Sequence, residues 1–304
     1  MMELVKNTKI DFMGKRFIAL TISAILTILG LVAAVQVARG SANLGIDLAG
    51  GTSVQIKFNT QVVLHDVRKA LEEGGIRDFD LQELPTERKI LIRVKKNDEK
   101  VGELSGKIIS VLSQKFSHSN IVVDSTTEIG PKVGSKLRGD ALWAVMAAML
   151  GILVYITFRF QFRFSIGATI ATLHDVLAIL GIFYLIGKEI NLLLISALLI
   201  IAGYSLTDTV VVFDRIRENM KDRFKKHTFE IVNDSINEVL SRTIVTSLTV
   251  FITAVALFVF GGEVIHDFAF AIMLGVIIGT FSSIFVASPV VVMLGKDKSF
   301  SNKK

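Results

Sequence analysis

Six stretches of the chain, 17–37, 141–158, 164–186, 190–213, 243–260 and 268–294, are apolar over a length that crosses about 30 Å of hydrocarbon as a helix. A helix satisfies its own backbone polar groups, so six such runs predict an α-helical polytopic membrane protein with six transmembrane helices. Of the 304 residues, 51% are hydrophobic and only three are proline, too apolar for an ordinary soluble domain. The absence of cysteine removes disulfides and thiolate metal sites, so any part outside the membrane must be held by its own core.

An even number of spans puts both termini on one side. The short segments on that side carry 16 Lys and Arg, including Lys15, Arg16, Arg159, Arg163 and a cluster from Arg215 to Lys226. The opposite short segments carry Arg39, Arg138 and Lys188. The positive-inside rule therefore predicts cytosolic termini in an inner-membrane protein. The net charge of +6 is spread over these flanks, as orientation alone requires, and does not point to nucleic acid. The first run exceeds the 7 to 15 residues of a usual signal-peptide core, so it reads as a retained anchor despite the small residues Ala33, Ala34 and Ala38 after it.

The expected organisation is a cytosolic N-terminus (1–16), a first span (17–37), an extracytoplasmic domain with its linkers (38–140), a five-helix membrane bundle (141–294) and a cytosolic tail (295–304). In the outer segment, 52–58 alternates as a strand, 62–73 has helical spacing, and 78–84 with 89–94 reads as two strands around a turn at Pro85. A second helix at 100–116 and a strand at 120–124 complete the order βαββαβ, which predicts a ferredoxin-like domain. It is entered through Gly45-Ile46-Asp47-Leu48-Ala49-Gly50-Gly51. The glycines Gly45, Gly50 and Gly51 permit a tight turn around Asp47. A phosphate-cradling loop is the rival, but the Lys-Ser/Thr of a P-loop is missing and a strand follows instead of a helix.

Helix 6 carries Ala271, Gly275, Gly279, Ser283 and Ala287 at a spacing of four, a ridge that lets another helix approach closely. Internal packing is the simpler reading of that ridge, and a partner subunit is the alternative.

Charged residues within the apolar runs carry the functional signal. A charge in hydrocarbon costs roughly 2.5 to 3.5 kcal/mol on insertion scales, so it usually faces protein or a water cavity and serves ion or proton movement. Asp208 lies about 8 Å inside the end of helix 4, and Arg242 about 6 Å inside the start of helix 5, at 1.5 Å per residue. The two can share a depth and pair. Tyr204 and Ser205 lie one turn before Asp208, and Ser241, Thr243, Thr246 and Thr249 add hydroxyls on helix 5. An ion pair that only fixes helix packing is the plain alternative; several polar groups at one depth favour a proton path.

Helix 3 adds His174 and Asp175 near mid-membrane, both further candidates for the proton relay with Asp208 and Arg242. Neighbours on a helix point about 100° apart, so both need not line one path. Asp214, Arg215, Arg217 and Glu218 read as a solvated helix end. No HExxH, Walker A or nucleophile motif is present, so neither a metal site nor a cofactor nor hydrolytic chemistry is expected.

The turn Gly45 to Gly51, the pair His174-Asp175, the run Gly203-Tyr-Ser-Leu-Thr-Asp-Thr-Val-Val-Val-Phe-Asp-Arg-Ile-Arg-Glu-Asn219 and the run Ser241-Arg-Thr-Ile-Val-Thr-Ser247 resemble the SecF branch of the SecD/SecF protein-export family. Leu48, where that branch usually has Phe, is more like SecD. Yet SecD has a much larger outer region, and has Ala-Asn where this chain has Thr209-Val210.

The resemblance implies a relationship to RND transporters, a SecD partner and association with the SecYEG channel. It also implies proton flow through Asp208 and Arg242 that drives motion acting on an unfolded, exported polypeptide. An RND-type efflux subunit would need larger outer domains than these roughly 94 residues, and a passive scaffold is the remaining alternative.

Overall fold

The computed structural model describes residues 8–60, 62–77, 79–84, 88–95, 103–222 and 227–294. Residues 1–7, the Pro85 turn and the tail 295–304 lie outside the described residues. The chain divides into two units, a sheet unit comprising Val37–Leu142 with Glu189–Leu192, and a helical unit comprising the other described residues.

In the sheet unit, a helical turn α2 (Ile46–Ala49) leads into β1 (Gly51–Lys57), α3 (Leu64–Glu73), β2 (Phe79–Leu84), β3 (Lys89–Lys95), α4 (Glu103–Lys115) and β4 (Val122–Ile129). The strands form one antiparallel sheet in the order β2-β3-β1-β4, the ferredoxin-like βαββαβ arrangement. Strands β1 and β3 alternate buried and exposed positions, so Val54, Ile56, Ile90, Ile92 and Val94 form one apolar face. The helices close that face with Val67, Leu71, Leu104, Ile108 and Leu112.

Strand β4 runs to Ile129, past the expected end at Asp124. Its Asp-Ser-Thr-Thr-Glu stretch has no apolar alternation, and its place is set by pairing with β1.

The entry glycines act through backbone geometry. Gly50 has φ of 81°, and a side chain there would run into Pro131; Gly134 would meet Gly50 in the same way. A side chain on Gly51 would strike the Val94 carbonyl. Gly45 donates to the Ile190 carbonyl at 2.9 Å, and Ile190 donates to the Asn43 carbonyl at 2.8 Å. Ile190 therefore belongs to the sheet unit, and the fourth long helix starts at Leu192 instead of 190. Asp47 sits in the α2 turn, half-buried.

Among the described residues, six helices are long and apolar enough to cross a membrane: α1 (Arg16–Arg39), α5 (Pro131–Arg159), α6 (Phe162–Leu185), α7 (Leu192–Asp222), α8 (Thr228–Phe260) and α9 (Gly262–Ser282), which continues through a π-helical turn at Ser283–Ala287 into α10 (Ser288–Leu294). Several outrun their apolar runs. Helix α8 begins 15 residues before 243, because Ile231, Val232, Ser235, Ile236 and Leu240 keep one face buried while polar residues occupy the others.

Polar partners fix the end of α7 as well. Asn219 donates to Ser235 and Glu238, and Arg215 pairs with Glu238 at 2.5 Å and with Glu218 at 2.6 Å. These groups bind α7 to α8, where the sequence suggested only a solvated end. Phe158, Trp143, Phe260 and Ile18 stand exposed on the outer helices, apolar surface of the kind a bilayer covers.

Candidate functional site

Asp175 is fully buried on α6 and is reached from three directions. The Ser205 hydroxyl of α7 and the Ser282 hydroxyl of α9 both donate to Oδ2, the latter at 2.8 Å, while His174 Nδ1 lies 2.9 Å from Oδ1. His174 and Asp175 thus meet despite the 100° between neighbours. Hydrogen bonds to a charged group contribute about 1.5 to 3 kcal/mol each. These contacts tie α6, α7 and α9 at one point.

Asp208 is 8% exposed and accepts a hydrogen bond to Oδ2 from Ser283, the first residue of the π-helical turn after α9, at 2.8 Å. Thr243 of α8 is buried near Asp208, its hydroxyl outside ordinary hydrogen-bond geometry. The Ser283 bond leaves lone pairs open on Asp208. The two aspartates therefore differ in their surroundings: three polar side chains lie at hydrogen-bond distance from Asp175, and the Ser283 hydroxyl from Asp208.

Ser282 and Ser283 are adjacent, and each serves a different aspartate. Each hydroxyl also lies within reach of a helix carbonyl, Ser282 to Gly279 at 3.2 Å and Ser283 to Thr280 at 3.0 Å. A serine has one proton to donate. When Asp208 is a carboxylate, Ser283 can donate to it; when Asp208 carries a proton, Ser283 can accept that proton's hydrogen bond and turn its own to Thr280. The site satisfies Asp208 in either state.

A second hydroxyl string runs alongside. Tyr204 on α7 donates to Ser247 on α8 at 3.2 Å, Ser247 is 2.6 Å from Thr280 on α9, and Thr280 is bonded to the Val276 carbonyl.

The expected Asp208–Arg242 pair does not form. Thr243 occupies the buried face of α8, so the preceding residue is turned about 100° away and Arg242 is exposed. No ion pair involves Arg242 among the described residues. Thr246 is also exposed and returns its hydroxyl to the Arg242 carbonyl, and Ser241 is only half-buried. Neither joins the string.

The small-residue ridge packs against α7: a side chain on Gly275 would meet Ile201, and one on Gly279 would meet Ser205, while Ala271 is fully buried. Ser283, read as part of that ridge, is a ligand of Asp208. Ser282, Ser247 and Thr280 went unrecognised, although their three- or four-residue spacing from Gly279, Thr243 and Val276 places them on the same faces.

A sheet unit and six helices long and apolar enough to cross a membrane, with hydroxyls and two carboxylates buried between α6, α7, α8 and α9, describe a multi-pass membrane protein. The chain belongs to the SecD/SecF family of protein-export membrane proteins: the family's C-terminal region matches residues 108–297, and its GG motif matches 43–62.

Relatives named protein translocase subunit SecF include those of Thermodesulfovibrio yellowstonii, 57% identical over 98% of both chains, and Endomicrobium trichonymphae, 42% identical over 95% of this chain and 93% of its own. Among solved structures, SecDF from Thermus thermophilus, a translocon-associated membrane protein, is 35% identical with a TM-score of 0.80. A second SecDF structure, in the super-membrane-facing form, gives 0.70. The chain covers 97% of itself but only 40% of the SecDF chain in each case.

Proposed function

We propose that this chain is an auxiliary, non-enzymatic subunit of the Sec translocase that works with SecD and the SecYEG channel to couple proton entry to export of unfolded polypeptides. In this reading it lies in the cytoplasmic membrane with both termini in the cytosol and the sheet unit outside, as the distribution of basic residues suggests. The match of this chain to 40% of a SecDF chain supports a SecD partner for the remainder.

The observation that carries the reading is Asp208, a buried carboxylate with one hydroxyl donor, open lone pairs and a serine able to serve both of its protonation states. One charge crossing 100 mV supplies about 2.3 kcal/mol, so several protons can bias a conformational cycle. Asp208 is the working group. Asp175 and His174 hold the helices around it, a shift from the expectation that both aspartates relay protons. Arg242, exposed in the isolated chain, acts in proton flow once SecD covers that face of α8.

The test is export of a secretory precursor into membrane vesicles, with and without a proton gradient. Vesicles holding wild type, Asp208→Asn or no copy of the chain are compared. The expected result is gradient-stimulated export in wild type alone. Full stimulation in Asp208→Asn excludes the relay, and unchanged export without the chain excludes the export role.

A further inference from the structure

The segment before α1 is held by side chains where a strand would be held by backbone. Asn233 Oδ1 accepts from the backbone N–H groups of Phe12 at 2.8 Å and Met13 at 3.2 Å, and its Nδ2 donates to the Ile10 carbonyl at 3.0 Å. One turn along α8, Asn237 both accepts from and donates to Ile10, each at 2.9 Å. Five hydrogen bonds from two asparagines, several of them exposed, are more than anchoring the start of a helix needs. Their effect is to press Phe12 and Met13, 8% and 3% exposed, into the core of the helical unit.

Phe12 lands on the π-helical turn. Its ring meets Phe285 edge-on at 5.8 Å, and Phe285 stacks on Phe281 at 5.0 Å. A π-turn holds one residue more than an α-turn and is rare without support. Here Pro289 removes the N–H that would bond to the Phe285 carbonyl, and the Ser288 hydroxyl takes the Ser283 carbonyl at 2.9 Å. Phe12 packs on the turn through Phe285. The turn begins at Ser283, the donor to Asp208, and follows Ser282, the donor to Asp175. If the turn relaxed to α-helix, losing one residue of the bulge would rotate the two sides of α9 and α10 by about 100° relative to one another. Ser283 could not then keep both its packing and its carboxylate.

We propose that Phe12, clamped by Asn233 and Asn237, is a positioning residue that acts through Phe285 and the π-turn to keep the Ser283 hydroxyl on Asp208. Its functional weight rests on the reading of Asp208 as the working carboxylate, but the contact itself can be measured apart from export.

The probe is the infrared carbonyl band of protonated Asp208, recorded in acid on the purified full-length chain and assigned by its loss in Asp208→Asn. Ser283→Ala shifts this band by removing its hydrogen-bond partner. Phe12→Ala shifts it in the same direction and by a comparable amount, and Phe12→Leu, which keeps apolar bulk, leaves it near the wild-type position. Asn233→Ala, which leaves every core side chain in place, serves as the second variant and shifts the band as Phe12→Ala does. A band unmoved in Ser283→Ala, or moved there but not in Phe12→Ala and Asn233→Ala, overturns the proposal. Failure of Asp208→Asn to impair gradient-stimulated export would overturn the proton-relay reading and leave the infrared result standing.

Discussion

Ile92, at the centre of the sheet unit, and Asp175, at the centre of the helical unit, are both fully buried, yet they hold their surroundings together by different physics. Around Ile92 the strands and helices bury apolar faces away from water, a drive of about 25 cal/mol per Å² that needs no particular partner atom. Ion pairs such as Lys95–Asp80 and Lys115–Glu73 sit at its exposed margin. Around Asp175 the alternative to a buried helix face is lipid, which is as apolar as leucine, so burial alone gives little preference for one packing over another. Close approach at Gly275 and Gly279, and hydroxyl-to-carboxylate bonds, specify the arrangement instead. In the sheet unit polar atoms decorate the fold; in the helical unit they choose it.

The comparison breaks most visibly at Asp175. Asp175→Ala leaves Ser205, Ser282 and His174 without their shared partner, and leaving a buried polar group unsatisfied typically costs about 1 to 3 kcal/mol for each such group. Unfolding of the purified chain in detergent measures it; a loss below about 1 kcal/mol would mean that apolar packing also governs the helical unit.

Gly275→Ala tests the close approach. Its methyl would sit 2.5 Å from Ile201, and such overpacking costs about 1 to 3 kcal/mol. Ile92→Val trims one methylene from the sheet core at about 0.5 to 1.5 kcal/mol, read by hydrogen exchange of the β3 amides. The effect should stay within the sheet unit.

The smallest effect belongs to Lys115→Ala. The hydrogen bond and charge of Lys115 hold the Glu73 carboxyl below its ordinary value of 4.5. A depressed carboxylate contributes stability above the unfolded value and loses it as pH falls through the lowered one. Exchange rates in α3 should therefore separate wild type from variant at neutral pH and converge in acid.

The six spans and the βαββαβ order were legible because each follows from a period or a run of apolar residues. Strand β4 was read short because Asp124 to Glu128 takes its place from pairing with β1, a contact between segments far apart in sequence. The candidate site was half legible for a related reason. Position along a helix follows from counting residues, so Asp175, Asp208, Tyr204 and Ser205 were found. Rotation about the axis does not, so Arg242 was paired with an aspartate it turns away from, and Ser283 was taken for a packing residue. The docking of Phe12 on the π-turn left no signal, because Asn233 and Asn237 lie in a stretch that reads as an ordinary polar flank.

The division of labour between the two aspartates is tested most directly by proton entry. The chain reconstituted with SecD in liposomes holding a pH-sensitive dye is exposed to an imposed gradient, as wild type and as Asp208→Asn. Acidification of the lumen by wild type and its loss in the variant, with the protein still folded, is the predicted result. Equal acidification by both would contradict the assignment of Asp208 as the group that carries the proton.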